Sequence, residues 1–208
     1  EYIRKDKFLT ADIETYRENN WNIPYACGFF DGKIKKLYYL TEYKNWRDMI
    51  KAMLSDIMIP KYAGRTVYFH NFNKFDSVFL FRIIHEMFKI SNILPRDTGL
   101  LCFNVTFSDV NGKKFRLKFS DSIALLPFSL AYLGESFKVD VVKGEFPHNF
   151  VNADNLEYKG VLPNYKYFTQ SVDMLIKYTD MAKRYNKDRM WSMKDEVLNY
   201  LTKDIIYL

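Results

Sequence analysis

The fold is decided by a segment close to the N-terminus, KFLTADIET at positions 7–15. Polar and apolar residues alternate along its second half, a period of two that predicts a β-strand. Asp12 and Glu14 are two residues apart, so both carboxylates project from one face of the strand, while Ala11 and Ile13 project from the other. The apolar neighbours indicate a central strand of the sheet.

A central strand is an unfavourable place for two neighbouring carboxylates. Two like charges held close together in a buried place destabilise the fold unless a positive charge lies between them. A divalent cation with oxygen ligands is the usual solution, so Asp12 and Glu14 are candidate metal ligands. The alternative is an edge strand on which the two acids are solvated and bind nothing.

The elements predicted along the chain indicate an α/β fold with a mixed sheet flanked by helices. Strands are predicted at 66–70, in a hairpin over 24–40 that turns at Asp31-Gly32, and in a two-stranded unit over 101–119 with a type I′ turn at Asn111-Gly112. Helices are predicted at 46–57, 75–90, 127–137, 169–185 and 192–208. No linker is recognisable, so we expect a single domain over residues 1–208.

The composition favours an intracellular protein with a polyanionic partner. Of the 208 residues, 48% are hydrophobic, which is enough to bury a sizeable core. The net charge is +6 and the pI is about 9.1, which fits nucleic acid or an anionic membrane surface. Cys27 and Cys102 lack the spacing of a disulfide scaffold or a zinc module and suit a reducing compartment. The sequence shows no secretory signal and no apolar run of membrane-spanning length.

Two further carboxylates and a phenol occur at informative positions. Asp76 opens the helix predicted at 75–90 and follows Asn71 by five residues; capping of the helix alone could explain it. Tyr200 and Asp204 are four residues apart in the last predicted helix, so the phenol and the carboxylate lie on one face. Each position has an ordinary structural explanation when it is considered separately.

Together these positions form three motifs in a fixed order. They read Asp12-Ile13-Glu14, then NFNKFD from Asn71 to Asp76, then YLTKD from Tyr200 to Asp204. The set D-x-E, N-x3-F-D and Y-x3-D resembles the three exonuclease motifs of the proofreading domain in family B DNA polymerases. The predicted strand, strand-to-helix connection and helix that carry the motifs agree with that family. Tyrosine in the third motif is typical of the DEDDy subgroup.

The resemblance implies an RNase H-like fold and a 3′→5′ exonuclease that removes nucleotides from single-stranded DNA ends with two Mg²⁺ or Mn²⁺ ions. It implies that four carboxylates hold the ions, those of Asp12, Glu14, Asp76 and Asp204. Tyr200 would orient the attacking water, since a phenol with a pKa of about 10 is a poor base at neutral pH. The segment 143–148 looks like one that supplies an auxiliary catalytic lysine, here Lys143.

A further resemblance indicates the branch of the family. The segment 121–128, DSIALLPF, is similar to a DNA-binding motif of the protein-primed branch found in linear plasmids, organelles and phages, with Ile123 in the place of a leucine. The resemblance implies contacts to the terminal nucleotides from Thr15, Tyr68, His70, Asn71, Phe75, Ser122, Ile123 and Phe128. Aromatic rings in this set can stack on bases, and hydroxyl and amide groups can bond to phosphate and sugar.

The resemblance also implies partners and a location. We expect this domain to be a fragment of a larger polymerase, with a single-stranded DNA 3′ end, the polymerase domain of the parent chain and a terminal priming protein as partners, and no membrane. We expect an intracellular location, in the mitochondrion or the cytoplasm, for a plasmid- or virus-encoded enzyme. Two alternatives stay open: an exoribonuclease of the same superfamily, since discrimination of the 2′-hydroxyl depends on pocket geometry, and a catalytically inactive nucleic-acid-binding module.

Overall fold

A computed structural model of the chain describes residues 8–70, 76–96, 99–125, 127–128, 132, 145–185 and 189–208. Seven strands of this part form one sheet: β1 (Leu9–Glu18), β2 (Trp21–Phe30), β3 (Lys35–Tyr39), β4 (Thr66–Phe69), β5 (Lys89–Arg96), β6 (Gly99–Ser108) and β7 (Lys114–Asp121). The helices are α1 (Trp46–Ile57), α2 (Asp76–Met87), α3 (Val172–Arg184) and α4 (Met193–Tyr207). Two short strands, β8 (Lys159–Gly160) and β9 (Trp191–Ser192), pair with each other.

The strand β1 lies near the middle of the sheet, as its apolar neighbours predict. The strand order is β3-β2-β1-β4-β7-β6-β5. β1 pairs antiparallel with β2 and parallel with β4, and β4 pairs parallel with β7. The remaining neighbours, β7 with β6 and β6 with β5, are antiparallel. The sheet is therefore mixed and has helices on both faces, which confirms the predicted α/β class.

The two faces of β1 belong to different surroundings. Leu9, Ala11 and Ile13 of this strand lie in a hydrophobic core on one side of the sheet, which we call the first core. It also contains buried side chains of α1 and α2. α4 covers the opposite face, where it packs on β1, β2 and β3. There the hydroxyl of Thr10 donates a hydrogen bond to the backbone carbonyl of Ile205, which ties the helix to the strand. The period of two on β1 thus turns Asp12 and Glu14 toward α4.

The helix predicted at 75–90 is confirmed over Asp76–Met87, and the prediction is wrong only for its last three residues. α2 ends at Met87, and the residues from Lys89 onward form β5, which pairs with β6. Ile90 packs against the first core from this strand. A continuous apolar run suits a buried helix and a buried strand equally well, and here the strand forms because its backbone groups pair with β6.

The connection between β6 and β7 also differs from the predicted type I′ turn. The side chain of Asp109 accepts hydrogen bonds from the backbone N–H groups of Asn111 and Lys113, each at 2.9 Å. Gly112 alone has a positive φ in this connection, 78°, whereas a type I′ turn needs two such residues. The carboxylate of Asp109 competes for the backbone donors and stabilises a wider turn.

Helix bounds agree with the sequence where a cap and an apolar stripe coincide. α1 spans the predicted 46–57, and the side chain of Asn45 caps it by accepting a hydrogen bond from the backbone N–H of Asp48 at 3.0 Å.

The helix predicted at 127–137 lies almost entirely outside the described residues. Within the described ranges, every helix is too short or too polar to cross a lipid bilayer.

A buried carboxylate fastens the hairpin of β2 and β3 to the connection after α1. The side chain of Asp31 is 4% exposed and lies 2.7 Å from the ammonium of Lys61. It also accepts hydrogen bonds from the hydroxyl of Tyr62 and from the backbone N–H groups of Lys33 and Ile34. Burial by itself would raise the pKa of this carboxyl, but the bonds from these four residues outweigh burial and lower the pKa below its ordinary value.

We expect Asp31→Asn to lower the free energy of unfolding by about 1–3 kcal/mol at neutral pH, because charge-assisted hydrogen bonds lose their ionic acceptor. Since the pKa of Asp31 is depressed in the folded chain, its stabilisation is present above the pKa of an unfolded aspartate, about 4, and is lost as the pH falls below that value. The difference between variant and wild type should therefore narrow in acid. Urea denaturation at neutral and acidic pH measures both effects.

Asp180→Asn is the matched control, because its carboxylate pairs with Lys183 on the exposed surface of α3. This variant should unfold almost like the wild type at both pH values, since exposed ion pairs contribute little. Equal stability of Asp31→Asn and the wild type at neutral pH would contradict the role given to Asp31.

Candidate active site

Three carboxylates that are distant in sequence meet between β1 and α4. One oxygen atom each from Asp12, Glu14 and Asp204 lies within 4.8 Å of the other two. Asp204 is 3% exposed, and the other two residues are half-buried. Two of these residues come from the strand and one from the helix, so their meeting depends on how α4 packs on β1.

The apolar stripe of α4 fixes the direction of its polar residues. A second hydrophobic core lies on the side of the sheet that α4 covers. In it, three residues of the helix at intervals of four are fully buried, Val197, Leu201 and Ile205. Tyr200 and Asp204 lie one turn apart on the adjoining stripe and consequently face β1. This packing brings the third sequence motif to the first, as the resemblance implies.

Tyr200 is the phenol beside the three carboxylates, and it is 8% exposed. Burial raises the pKa of its hydroxyl well above the ordinary value. Negative charges raise the pKa further, in the order Asp204, Glu14, Asp12 and Glu145. The phenol is therefore protonated at neutral pH, so that it can orient a water molecule but cannot act as a general base.

Sequence reasoning missed two aromatic residues that line this site, Phe146 and His148. The imidazole Nδ1 of His148 lies 4.0 Å from a carboxylate oxygen of Glu14, and its ring centre is 5.1 Å from that of Tyr200. Phe146 is buried, with its ring centre 5.7 Å from that of Tyr200. Both residues belong to the segment 143–148, which the resemblance associates with an auxiliary lysine. This association is the one feature of the sequence that could have indicated their place in the site.

The fourth predicted metal ligand, Asp76, is placed by its backbone alone. Asp76 is the first residue of α2, the helix that follows β4. In the parallel pairing of β1 with β4, Thr10 lies opposite Tyr68, so the end of β4 and Asp12 lie toward the same edge of the sheet. The side chain of Asp76 is outside the described part of the chain. So are Asn71, Phe75 and Lys143, and their roles stay predictions.

Two of the predicted DNA contacts lie together where β4 and β7 end. The Nδ1 atom of His70 is 3.0 Å from the hydroxyl of Ser122. The side chain of Asp121, 1% exposed, accepts a hydrogen bond from the backbone N–H of Ile123 at 2.9 Å and so caps the turn that carries Ser122 and Ile123. The turn is thus fixed by a buried cap.

The sheet register relates this pair to the carboxylates. Thr10, Tyr68 and Ser120 lie opposite one another on β1, β4 and β7. Two residues further along the three segments come Asp12, His70 and Ser122. Asp12 and the His70–Ser122 pair therefore belong to neighbouring positions of one row.

The other residues that are predicted to contact DNA, and that the structure describes, lie apart from the His70–Ser122 pair. The ring centre of Tyr68 is 5.8 Å from that of Phe8. Thr15 follows Glu14 directly, at an irregularity in the pairing of β1 with β2. Phe128 is 50% exposed, and its ring centre lies 4.9 Å from that of the equally accessible Tyr132. An exposed aromatic pair is suited to stacking on bases.

A groove of about 470 Å³ opens beside Tyr200 between α3 and α4. Four cations line it together with three acids: Lys177, Arg184, Arg189 and Lys203, with Glu145, Asp180 and Glu196. Lys177 pairs with Glu145 at 2.5 Å. The groove is therefore nearly balanced in charge.

Most of the chain matches a known protein family. Residues 56–208 match the family described as DNA polymerase type B, organellar and viral. The chain belongs to this family. It is 35% identical over 217 residues to a probable DNA polymerase of Agaricus bitorquis, and the match covers 96% of this chain and 26% of that polymerase. This member of the type B polymerases thus spans about a quarter of the length of that relative.

Solved structures of Phi29 DNA polymerase share the fold of this chain. One, in an orthorhombic crystal form, has a TM-score of 0.57 at 16% identity, over 97% of this chain and 29% of that one. Another, complexed with single-stranded DNA, has a TM-score of 0.55 at 19% identity, over 84% of this chain and 32% of that one. The likeness confirms the RNase H-like arrangement of the mixed sheet.

The carboxylate centre fits a hard divalent cation. Its three candidate ligand atoms are all carboxylate oxygens, the donors that Mg²⁺ and Mn²⁺ prefer. Mg²⁺ with bonds of about 2.0–2.1 Å spans up to about 4.2 Å between opposite ligand atoms, so atoms within 4.8 Å of one another need only small side-chain shifts to bind it. Without a cation, three acids this close repel one another.

We expect Mg²⁺ or Mn²⁺ to raise the melting temperature of the chain, because a ligand that binds only the folded state stabilises it by mass action. At a free concentration 100 times the Kd, the stabilisation is about 2.7 kcal/mol. Differential scanning fluorimetry in the presence of either metal or of EDTA measures the shift.

Asp204→Asn should lose most of the metal-induced shift and should melt higher than the wild type in EDTA, since one of three repelling charges is removed. Asp195→Asn, on the exposed side of the same helix, should keep the full shift. A shift of equal size in Asp204→Asn would show that the cation binds elsewhere.

Proposed function

We propose that this chain is the 3′→5′ proofreading exonuclease domain of a type B DNA polymerase, which removes nucleotides from single-stranded DNA ends with two Mg²⁺ or Mn²⁺ ions. The observation that carries the proposal is the convergence of Asp12, Glu14 and Asp204 beside the buried phenol of Tyr200. Oxygen ligands for divalent cations and a group that orients water are the parts that hydrolysis of a phosphodiester requires.

In this proposal residues 1–208 are one domain of a larger enzyme. The coverage of 26% of the Agaricus bitorquis relative supports a parent chain that also contains a polymerase domain. The Phi29 polymerase structure with single-stranded DNA supports that nucleic acid as the substrate. The organellar and viral family supports a plasmid- or virus-encoded enzyme with an intracellular location, in the mitochondrion or the cytoplasm. A terminal priming protein would be a partner of the parent enzyme.

Asp12, Glu14 and Asp204 would hold the cations, with Asp76 as the fourth carboxylate. When bound, two divalent cations would lower the pKa of the attacking water and neutralise charge that develops on the phosphate. Asp12 and Glu14 form a preorganised pair, because both residues lie in the pairing of β1 with β2. Ligands held by a rigid strand need little reorganisation during the reaction.

Tyr200 would position the attacking water through its hydroxyl and would not remove its proton. Burial first, and then the neighbouring carboxylates, raise the pKa of the phenol, so the hydroxyl stays protonated near neutral pH. The rings of Phe146 and His148 pack against the phenol ring and fix its direction. A fixed hydroxyl restricts the water to a reactive direction.

The terminal nucleotides would lie along the row beside the carboxylates. His70 and Ser122 would bond to phosphate or sugar, and the exposed ring of Phe128 would stack on a base. The other residues proposed for this contact are Thr15, Tyr68, Asn71, Phe75 and Ile123. Lys143 would supply a positive charge to the transition state.

The purified chain should shorten a 5′-labelled single-stranded oligodeoxynucleotide from its 3′ end in Mg²⁺ or Mn²⁺, release nucleoside monophosphates and stop in EDTA. Asp12→Asn should lower the rate by about 10³-fold or more, because a metal ligand is lost. Asp195→Asn should digest the substrate like the wild type. Gel electrophoresis of timed samples measures the rates.

The same assay discriminates between the proposal and its two alternatives. Faster digestion of an RNA oligonucleotide of the same sequence would make the chain an exoribonuclease. Absence of hydrolysis in a chain whose melting temperature still rises with metal would make it a binding module.

Tyr200→Phe separates positioning of water from packing. The variant keeps the ring contacts and deletes the hydroxyl, so kcat should fall by about 10–10³-fold while the melting temperature changes little. Single-turnover digestion and thermal unfolding provide the two measurements. An unchanged kcat together with a much lower melting temperature would make Tyr200 a residue of the core alone.

A further inference from the structure

The face of the sheet that carries the carboxylates continues beyond β1 onto four further strands, β4, β7, β6 and β5. Two residues of the first core, Phe103 on β6 and Phe119 on β7, lie opposite each other. Phe119 also lies opposite Val67, which in turn lies opposite Leu9 of β1. This row of core residues defines one side of the sheet. The alternate residues of β6 and β7 therefore lie on the other side, the side of Asp12 and Glu14.

On that side, β5, β6 and β7 form a basic surface around a groove of about 430 Å³. We call it the basic sheet face, and its residues are Lys89, Ser91, Asn92, Thr106, Ser108, Lys114 and Arg116. Lys89, Thr106 and Arg116 lie side by side on the three strands, and Ser108 lies opposite Lys114. The lining contains three cations and no carboxylate.

The cations of the basic sheet face have no acidic counterparts in the described part of the chain. Lys89, Lys114 and Arg116 are exposed. None of them makes an ion pair within 4.0 Å with a described carboxylate. The groove beside Tyr200 differs, because acids interleave with its cations. Cations clustered on one face without acids attract a polyanion.

Hydroxyl and amide groups lie between these cations and complete a site for phosphate. Ser91, Thr106 and Ser108 contribute hydroxyls, and Asn92 contributes an amide. Asn92 has a φ of 50° where the pairing of β5 with β6 shifts its register. Such irregularities re-aim a side chain, and this one adds the amide to the groove. Serine, threonine and asparagine side chains are common donors to phosphate oxygens.

We propose that the basic sheet face binds the phosphodiester backbone of single-stranded DNA, several nucleotides away from the 3′ end at the carboxylate centre. Lys114 and Arg116 are two residues apart on β7, which separates them by about 6.6–6.8 Å, and neighbouring strands are about 4.8 Å apart. Arg116 and Asp121, at the active-site end of the same strand, are five positions apart, a length of about 17 Å. A single strand that leaves the centre along this face reaches the groove.

Binding of single-stranded DNA to the basic sheet face does not depend on the proposed function. Only the location of the 3′ end at the carboxylate centre rests on that function. We therefore choose an experiment in EDTA, with the double variant Lys114→Ala/Arg116→Ala of the full chain and a fluorescent 20-nucleotide single strand. The Kd from anisotropy should rise on the order of tenfold at 0.1 M salt. The slope of log K against log salt should become less negative by about 1.4, or 0.7 for each phosphate that the variant no longer neutralises. Both side chains are exposed, so the melting temperature should stay unchanged.

The charge-matched control is Lys33→Ala/Lys44→Ala, with two exposed lysines near β3 at the opposite edge of the sheet. It should bind the 20-nucleotide strand like the wild type. A trinucleotide is too short to reach from the centre to the groove, so the Lys114→Ala/Arg116→Ala variant should bind it with the wild-type Kd.

Three results would overturn the proposal. These are an unchanged Kd for the 20-nucleotide strand, an equal loss of affinity with the trinucleotide or in the control variant, and a larger loss of affinity with a blunt duplex than with the single strand. A chain that fails to hydrolyse DNA in Mg²⁺ but passes this test would lose the proposed function and keep the site.

Discussion

Two acids placed two residues apart on a paired strand of a sheet cannot turn away from each other, because the backbone fixes the direction of both side chains. Asp12 and Glu14 are in this position, and α4 adds Asp204 within 4.8 Å. The buried stripe of α4 and the hydrogen bond from Thr10 to Ile205 hold the helix against this repulsion. Hydrophobic packing therefore stabilises an arrangement that electrostatics opposes, a common situation at functional sites.

The same arrangement divides one face of the sheet into two environments. α4 covers the half formed by β1, β2 and β3 and gives Tyr200 and Asp204 a low-dielectric setting in which charge interactions are strong. The other half carries exposed lysines and an arginine among hydroxyl groups. The carboxylates lie at the boundary between the two halves, where the proposed cation would meet a polyanion that approaches over a wet, basic surface.

The sequence predicts most of the fold where local and long-range requirements agree. β1 and α1 follow from periodicity, because the pattern that forms each element also buries it. β5 is missed because an apolar run does not distinguish a helix from a strand, and pairing with β6 decides the matter. The β6–β7 turn differs because the side chain of Asp109, and not the Asn-Gly pair, determines the hydrogen bonding.

At the candidate site, the D-x-E and Y-x3-D motifs predict the meeting of Asp12, Glu14 and Asp204, which the structure contains. His148 and Phe146 are missed because their proximity to Tyr200 depends on the course of a connection that has no periodic pattern. The metal ions themselves, and the roles of Asp76 and Lys143, stay predictions. The basic sheet face could not be predicted from the sequence either, because its cations come together only when β5 pairs with β6 and β6 pairs with β7.

The bond between Thr10 and Ile205 joins residues 195 positions apart, and this separation has a consequence for biosynthesis. Chains emerge from the ribosome with the N-terminal part first. β1 and its two acids are therefore made long before the helix that brings Asp204. A nascent or prematurely terminated chain that lacks α4 contains two of the three carboxylates and cannot complete the centre. Any chemistry at this centre is thus restricted to chains in which α4 has been made, so under the proposed function unfinished products would not degrade the nucleic acid around them.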